Sequence, residues 1–189
     1  TLILGCAKTI IPQTVTNIGN YAFSGNENLT NINIPNSVSD IGDYAFGGCK
    51  NLLSINIPSS VVNIGQDLFM DCVSLEEITL PSSLTRLKSR MFNGCENLRR
   101  IISNATIPPS CKQRTFDGFD TSKCELLVPQ ESVSDYKAYY GWHKFKSVGN
   151  TEANIDKMKE YPLLINADVF SIDGTRIRIK PSLSVSFSA

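Results

Sequence analysis

The sequence predicts an α/β repeat protein: a solenoid of 23-residue units whose strands build one parallel sheet, closed by a C-terminal cap and followed by a small β tail. Three observations predict it. Pro12, Pro35, Pro58 and Pro81 recur at one step, and Phe23, Phe46, Phe69 and Phe92, then Leu29, Leu52, Leu75 and Leu98, then Ile32, Ile55, Ile78 and Ile101 keep the same step. Agreement of four registers excludes chance. A unit this short cannot bury its own apolar face, so in-register stacking is what buries these columns together. The period then fails after Leu98, which marks the end of the array.

Within a unit, residues 52–57 alternate Ile55 and Ile57 with Ser54 and Asn56, a short half-buried strand ended by Pro58, which cannot donate to a ladder. Between residues 42 and 52, Ala45, Phe46, Cys49 and Leu52 fall at spacings of three and four, as in a short helical or turn-like segment with one apolar face. Gly19, Gly42 and Gly65 punctuate its start, and Lys88 stands where the fourth would fall. Stacked strands lie about 4.8 Å apart. A second, milder strand column runs through residues 38–41 and their equivalents, presenting Ser39 and Asp40, Val62 and Asn63, Thr85 and Arg86.

The solenoid is assigned to residues 1–103, and a divergent last unit with the cap to residues 104–150. There, Thr115-Phe116 echoes Ala-Phe, residues 125–128 form a strand before Pro129, and Ser132 caps a short helix running to Tyr140. Tyr136, Tyr139, Tyr140, Trp142 and Phe145 then form an aromatic lid over the last apolar rung. Residues 151–189 hold a polar linker, at 152–160, and a β element in which Asp173-Gly174 turns between alternating strands.

Composition excludes several functions. Eighteen basic and eighteen acidic residues cancel, so no whole-chain field draws nucleic acid or an anionic membrane. No run of eighteen apolar residues provides for membrane insertion. Thr1 in place of a Met, with no signal-peptide pattern, reads as a mature or trimmed chain.

The unit Ile34-Pro35-Asn36-Ser37-Val38-x-x-Ile41-Gly42-x-x-Ala45-Phe46-x-x-Cys49-x-x-Leu52-x-x-Ile55 resembles the BspA-like class of leucine-rich repeat, over about residues 5–103. Phe116-Asp117-Gly118, Leu127-Val128-Pro129 and Trp142-x-x-Phe145 look like the cap that closes such arrays, and residues 169–177 are similar to the start of a sorting tail on secreted Bacteroidetes proteins. The resemblance implies an extracellular or outer-cell-surface protein that binds host or bacterial partners. It brings no catalytic motif.

The residues themselves carry little chemistry for catalysis. His143 is the one histidine and lies in the aromatic cap; no Gly-x-Ser-x-Gly elbow and no glycine-rich phosphate loop occurs. The reading is therefore a non-enzyme without cofactor or metal, and a hydrolase is the weakest alternative. Cys49, Cys72 and Cys95 share one repeat position, so stacking aligns them as a buried thiol ladder of small apolar groups; their separation is far longer than that of a paired zinc motif. Cys111 and Cys124, in the cap, would bridge only in oxidising surroundings, and Cys6 has no assigned role.

What differs from rung to rung is the surface of the strands. The columns read Thr30, Leu53, Glu76, Arg99; then Asn31, Ser54, Glu77, Arg100; then Asn33, Asn56, Thr79, Ile102. Glu76 is expected beside Arg99, and Glu77 beside Arg100, as cross-strand ion pairs each contributing a few tenths of a kcal/mol. The functional expectation is that Arg99, Arg100, Glu76, Glu77, Asn56 and Asn33 form a binding face for a protein or glycan of a host or neighbouring cell, with the two arginines as anchors. The competing expectation is a structural spacer or stalk within a larger surface protein.

Overall fold

The computed structural model describes residues 10–151 and two short strands, Val169–Phe170 and Arg176–Ile177. Cys6, the linker at 152–160 and the Asp173-Gly174 turn lie outside the described residues. The chain divides into two compact units, Thr1–Ala153 and Asn154–Ala189.

In the first unit the order is β1 (Asn17–Ile18), β2 (Asp40–Ile41), β3 (Ser54–Asn56), β4 (Asn63–Ile64), β5 (Glu77–Leu80), β6 (Arg100–Ser103), β7 (Glu125–Val128), helix α1 (Val133–Ala138) and β8 (Ser147–Asn150). A solenoid of parallel strands results, with two ladders rather than one. The main sheet runs β3-β5-β6-β7-β8 and the second runs β1-β2-β4. Ser54 pairs with Glu77 and Glu77 with Arg100, each one 23-residue step on, so every core position meets its own copy. Arg100 then pairs with Glu125, and Glu125 with Ser147, in the divergent rungs. In the second unit, β9 (Val169–Phe170) and β10 (Arg176–Ile177) pair antiparallel, as expected for the two arms of a hairpin.

The segment with spacings of three and four is a chain of turns and not a helix. Ala22, Ser24 and Asn26 donate their amides three residues back, to Gly19, Tyr21 and Phe23, while the amides between them, on Tyr21, Phe23 and Gly25, donate across to Asp43, Ala45 and Gly47 of the next rung. Left-handed residues at Tyr21, Tyr44, Asp67 and Arg90, and again at Gly25, Gly48, Asp71 and Gly94, break any continuous helix. Apolar spacing alone does not separate the two outcomes, because both place every third or fourth side chain inward.

The core is a set of columns. Phe23, Phe46, Phe69, Phe92 and Phe116 stack with ring centroids 5.3 to 6.3 Å apart and ring planes within 11° of parallel. Beside them, the thiols of Cys49, Cys72 and Cys95 each donate, at 3.1 Å, to the carbonyl of Phe23, Phe46 and Phe69 respectively. These cysteines are the buried ladder, and Cys111 and Cys124 are also free thiols, without a bridge.

The stack ends where Trp142 and Phe145 meet Phe116 edge-on, at 5.3 and 5.1 Å. Tyr136 and Trp142 are fully buried, and both polar atoms are satisfied: Tyr136 Oη donates to Ala105 O (2.9 Å) and Trp142 Nε1 to Pro109 O (2.8 Å). The lid is narrower than expected, since Tyr139 and Tyr140 are exposed. Ser132 occupies the position before α1 but makes no capping bond; its hydroxyl donates instead to Thr106 O at 2.8 Å, and the helix ends at Ala138.

Candidate functional site

Two polar surfaces of the solenoid are candidate sites. The first is the outward face of the main sheet. Alternation turns Ile55, Ile78, Ile101 and Leu126 inward, all buried, and turns two columns outward: Ser54, Glu77, Arg100, Glu125, Ser147 and Asn56, Thr79, Ile102, Leu127, Gly149. The inward columns repeat one chemistry and the outward columns do not. Asn56 is exposed and Thr79 and Ile102 half-buried, whereas Leu127 is buried, so the open polar face is that of β3, β5 and β6. Asn33, one step before Asn56, is exposed but stands outside any assigned strand.

Arg100 bridges two rungs. Its Nη1 donates to Glu77 Oε2 at 3.0 Å and its Nε to Glu125 Oε2 at 3.4 Å, with all three side chains about 40% exposed. The Glu77 hydrogen bond, more than the Glu125 one, raises its pKa further. The expected Glu77–Arg100 pair therefore forms, with Glu125 as a second partner. The Glu76–Arg99 pair does not form: the two residues are joined through Arg99 N and Glu76 O at 2.9 Å, but the Arg99 guanidinium turns to the carbonyl of Glu96, at 3.0 Å. There it lines a cavity of about 330 Å³ with Phe119, Asp120 and Lys123, neighbours that the strand columns gave no reason to expect.

The second surface is a groove of about 730 Å³ along the β1-β2-β4 ladder. Its position follows from Gly42 and Gly65. A Cβ on Gly42 would fall 2.3 Å from Asn20 Oδ1 and 2.6 Å from Asn20 N, and one on Gly65 only 2.3 Å from Asp43 N, so the rungs stack this closely only on glycine. Two rows of polar residues flank this floor: Asn17, Asp40, Asn63, and Asn20, Asp43, Gln66. The second row is locked rung to rung, because Asp43 N donates to Asn20 Oδ1 and Gln66 N to Asp43 Oδ1, both at 2.8 Å. In the first row Asp40 accepts from the Ser39 hydroxyl and from Asn63 Nδ2, and these bonds, the Ser39 one foremost, hold its carboxyl below the usual aspartate range. Lys88 and Lys112 stand at one end. Asn20, Asp43 and Gln66 keep the 23-residue step in the sequence, but without the glycine floor nothing there marks them as lining a groove.

Catalytic constellations are not apparent at either surface. Among the described residues no group of three His, Cys, Asp or Glu side chains could hold a metal, and His143 is exposed with Nδ1 3.3 Å from Tyr139 O. Among the same residues no helix is long and apolar enough to cross a membrane.

Stacked parallel rungs, a phenylalanine spine and variable outward columns define a leucine-rich repeat scaffold of the kind used for protein interaction. The chain belongs to the BspA-type leucine rich repeat family, whose defining pattern matches residues 5–123 in six copies. Its fold is similar to that of the leucine-rich repeat protein TpLRR of T. pallidum, with a TM-score of 0.57 and 22% identity over 75% of this chain and 68% of that one. The pneumococcal vaccine antigen PcpA is similar with a TM-score of 0.50 and 18% identity, over 75% of this chain and 40% of that one. A leucine rich cell surface protein of Faecalibacterium prausnitzii A2-165 gives a TM-score of 0.48 and 26% identity, over 65% of this chain and 32% of that one. No curated protein sequence matches the chain.

Proposed function

We propose that this chain is a non-enzymatic recognition module, secreted or held at the outer cell surface, that binds a protein or glycan of a host or neighbouring cell through the outward face of β3, β5 and β6. The observation that carries this reading is the contrast between columns. Inward positions repeat Ile, Phe and Cys from rung to rung, as stacking demands, whereas the outward positions run Ser54, Glu77, Arg100 and Asn56, Thr79, Ile102. A face under no packing constraint, with charged and amide side chains at fixed spacing on a rigid sheet, suits recognition. Of the two arginines, Arg100 lies on that face and is held by two carboxylates, and Arg99 stands at its margin with its guanidinium turned to Glu96 O. The surface location rests on membership of the family.

That same triad favours a second reading. A sheet face whose central charges satisfy one another also suits a structural spacer, with recognition carried elsewhere in a larger protein. Biolayer interferometry of the purified chain against immobilised host matrix proteins, plasma proteins and mucin glycans separates the two. A saturable signal lost in Arg99→Glu/Arg100→Glu supports recognition by the sheet face; a folded chain that gives no signal with any of them supports the spacer.

A further inference from the structure

We infer that the groove over Gly42 and Gly65 is a second binding site, and that it takes an unbranched, neutral, hydroxyl-rich glycan lying along the solenoid axis. The inference deepens the recognition reading by assigning a ligand class to a surface separate from the main sheet.

The lining decides the class. In Asn20 and Asp43 one side-chain atom is used between rungs and another is left over: Asn20 Oδ1 and Asp43 Oδ1 accept backbone amides, leaving Asn20 Nδ2 as a donor and Asp43 Oδ2 as an acceptor. Gln66 is exposed and follows with an amide that offers both. In the opposite row Thr16 Oγ1 donates to Asn17 Oδ1 and Asn63 Nδ2 donates to Asp40 Oδ1, which leaves Asn17 Nδ2 and Asn63 Oδ1. Each wall thus offers both donors and acceptors, and the side chains bonded to their neighbours are held in place, so little of their freedom is lost on binding. Each sugar hydroxyl, as donor and acceptor together, matches such a pair.

Other occupants fit less well. Beside the glycine floor, Ile18, Ile41 and Ile64 are each at most 3% exposed, so no apolar wall receives peptide side chains. Backbone groups that could pair with an added strand are consumed between rungs, Gly42 N donating to Ile18 O at 2.9 Å and Gly65 N to Ile41 O at 2.8 Å. Asp40 and Asp43 are balanced by Lys88 and Lys112, so no net charge selects a polyanion. The rung step of about 4.8 Å is comparable with the length of one pyranose ring in a linear chain, so successive sugars meet successive rungs.

The test is isothermal titration of the chain with unbranched neutral oligosaccharides from di- to hexasaccharide, of the cello-, xylo-, chito-, malto- and laminari-series. At least one series is expected to bind, with affinity that rises with length. Gln66→Trp, which fills the groove, and Asp43→Asn, which keeps the Oδ1 acceptor for Gln66 N, are each expected to weaken that binding at least about tenfold. Ser54→Trp, on the main sheet, is expected to leave it within about twofold. No binding by any series, or binding that both groove variants retain, overturns the inference. Loss in Ser54→Trp alone assigns the glycan to the main sheet, overturning the groove while leaving the recognition reading intact.

Discussion

Arg90 grips Asp67 from the next rung with a fork: Nε donates to Oδ1 at 2.7 Å and Nη2 to Oδ2 at 2.8 Å. The carboxylate is fully buried and the guanidinium is partly open to solvent. Both residues hold left-handed backbone, at the repeat position that Tyr21 and Tyr44 occupy in earlier rungs. Two bonds in fixed geometry offset the cost of burying the carboxylate, which one point charge does less well. Arg90→Ala is therefore expected to lower the urea midpoint further than Arg90→Lys, which keeps a charge beside Asp67 but loses the fork. Equal midpoints for the two variants would show that Asp67 does not depend on this partner.

Glycines in this solenoid serve two separate ends, and substitution distinguishes them. Gly65→Ala places a methyl against backbone of the preceding rung, with Gly42 C at 2.4 Å, and is expected to cost about 3 kcal/mol, the upper range of overpacking. Gly25 has φ +71 and nothing within 4 Å of an added Cβ, so Gly25→Ala carries only the left-handed penalty, about 1 kcal/mol. Denaturant curves that rank Gly25→Ala as the more damaging would contradict the stacking described for Gly65.

The thiol ladder gives the fold an alkaline limit. Burial pushes Cys49 up to about 11 and Cys95 up to about 12, and raises Cys72 as well. Cys111 and Cys124, outside the ladder, are held up to about 12 by the same cause. Since the native state keeps protons that the unfolded chain releases above its ordinary thiol pKa, the resulting stability is whole below that pKa and is lost as pH climbs through the native values. Urea midpoints are expected to fall steadily above about pH 9, a fall that is smaller in Cys49→Ala/Cys95→Ala measured against its own neutral-pH midpoint. An identical fall in that variant would remove the ladder as its source. A thiol reagent at pH 8 should leave Cys49, Cys72 and Cys95 unmodified in the folded chain.

Stacking columns were readable in the sequence because one physical demand, burial of like against like, repeats at each step. Phe23 to Phe92, Ile55 to Ile101 and the cysteine ladder fall where that demand places them. Phe116 and β7 were readable too, as an Ala-Phe echo and a strand-like run before Pro129. Hydrogen-bond direction was not: the spacing allowed either a helix or a chain of turns, the two differ in where alternate amides point, and apolar spacing carries no record of that. Strand columns located the Glu77–Arg100 pair but not Glu125 as its second partner, because the last rungs depart from the 23-residue step. The Arg99 side chain went elsewhere because a backbone acceptor, Glu96 O, lay within its own reach. The groove was hidden for another reason: it is a concavity left by side chains that cannot be present.

On the outward face of the main sheet, the proposed binding surface, Thr79 lies at the middle, paired with Asn56 on one side and Ile102 on the other. Replacing it by tryptophan fills the middle of that face and leaves the residues of the Arg100 triad and of the buried columns unsubstituted. The decisive measurement is the affinity of Thr79→Trp for the partner that the unaltered chain binds, alongside its urea midpoint. Binding is expected to fall at least about tenfold with the midpoint unchanged; unchanged affinity in the folded variant would show that the partner does not bind this face.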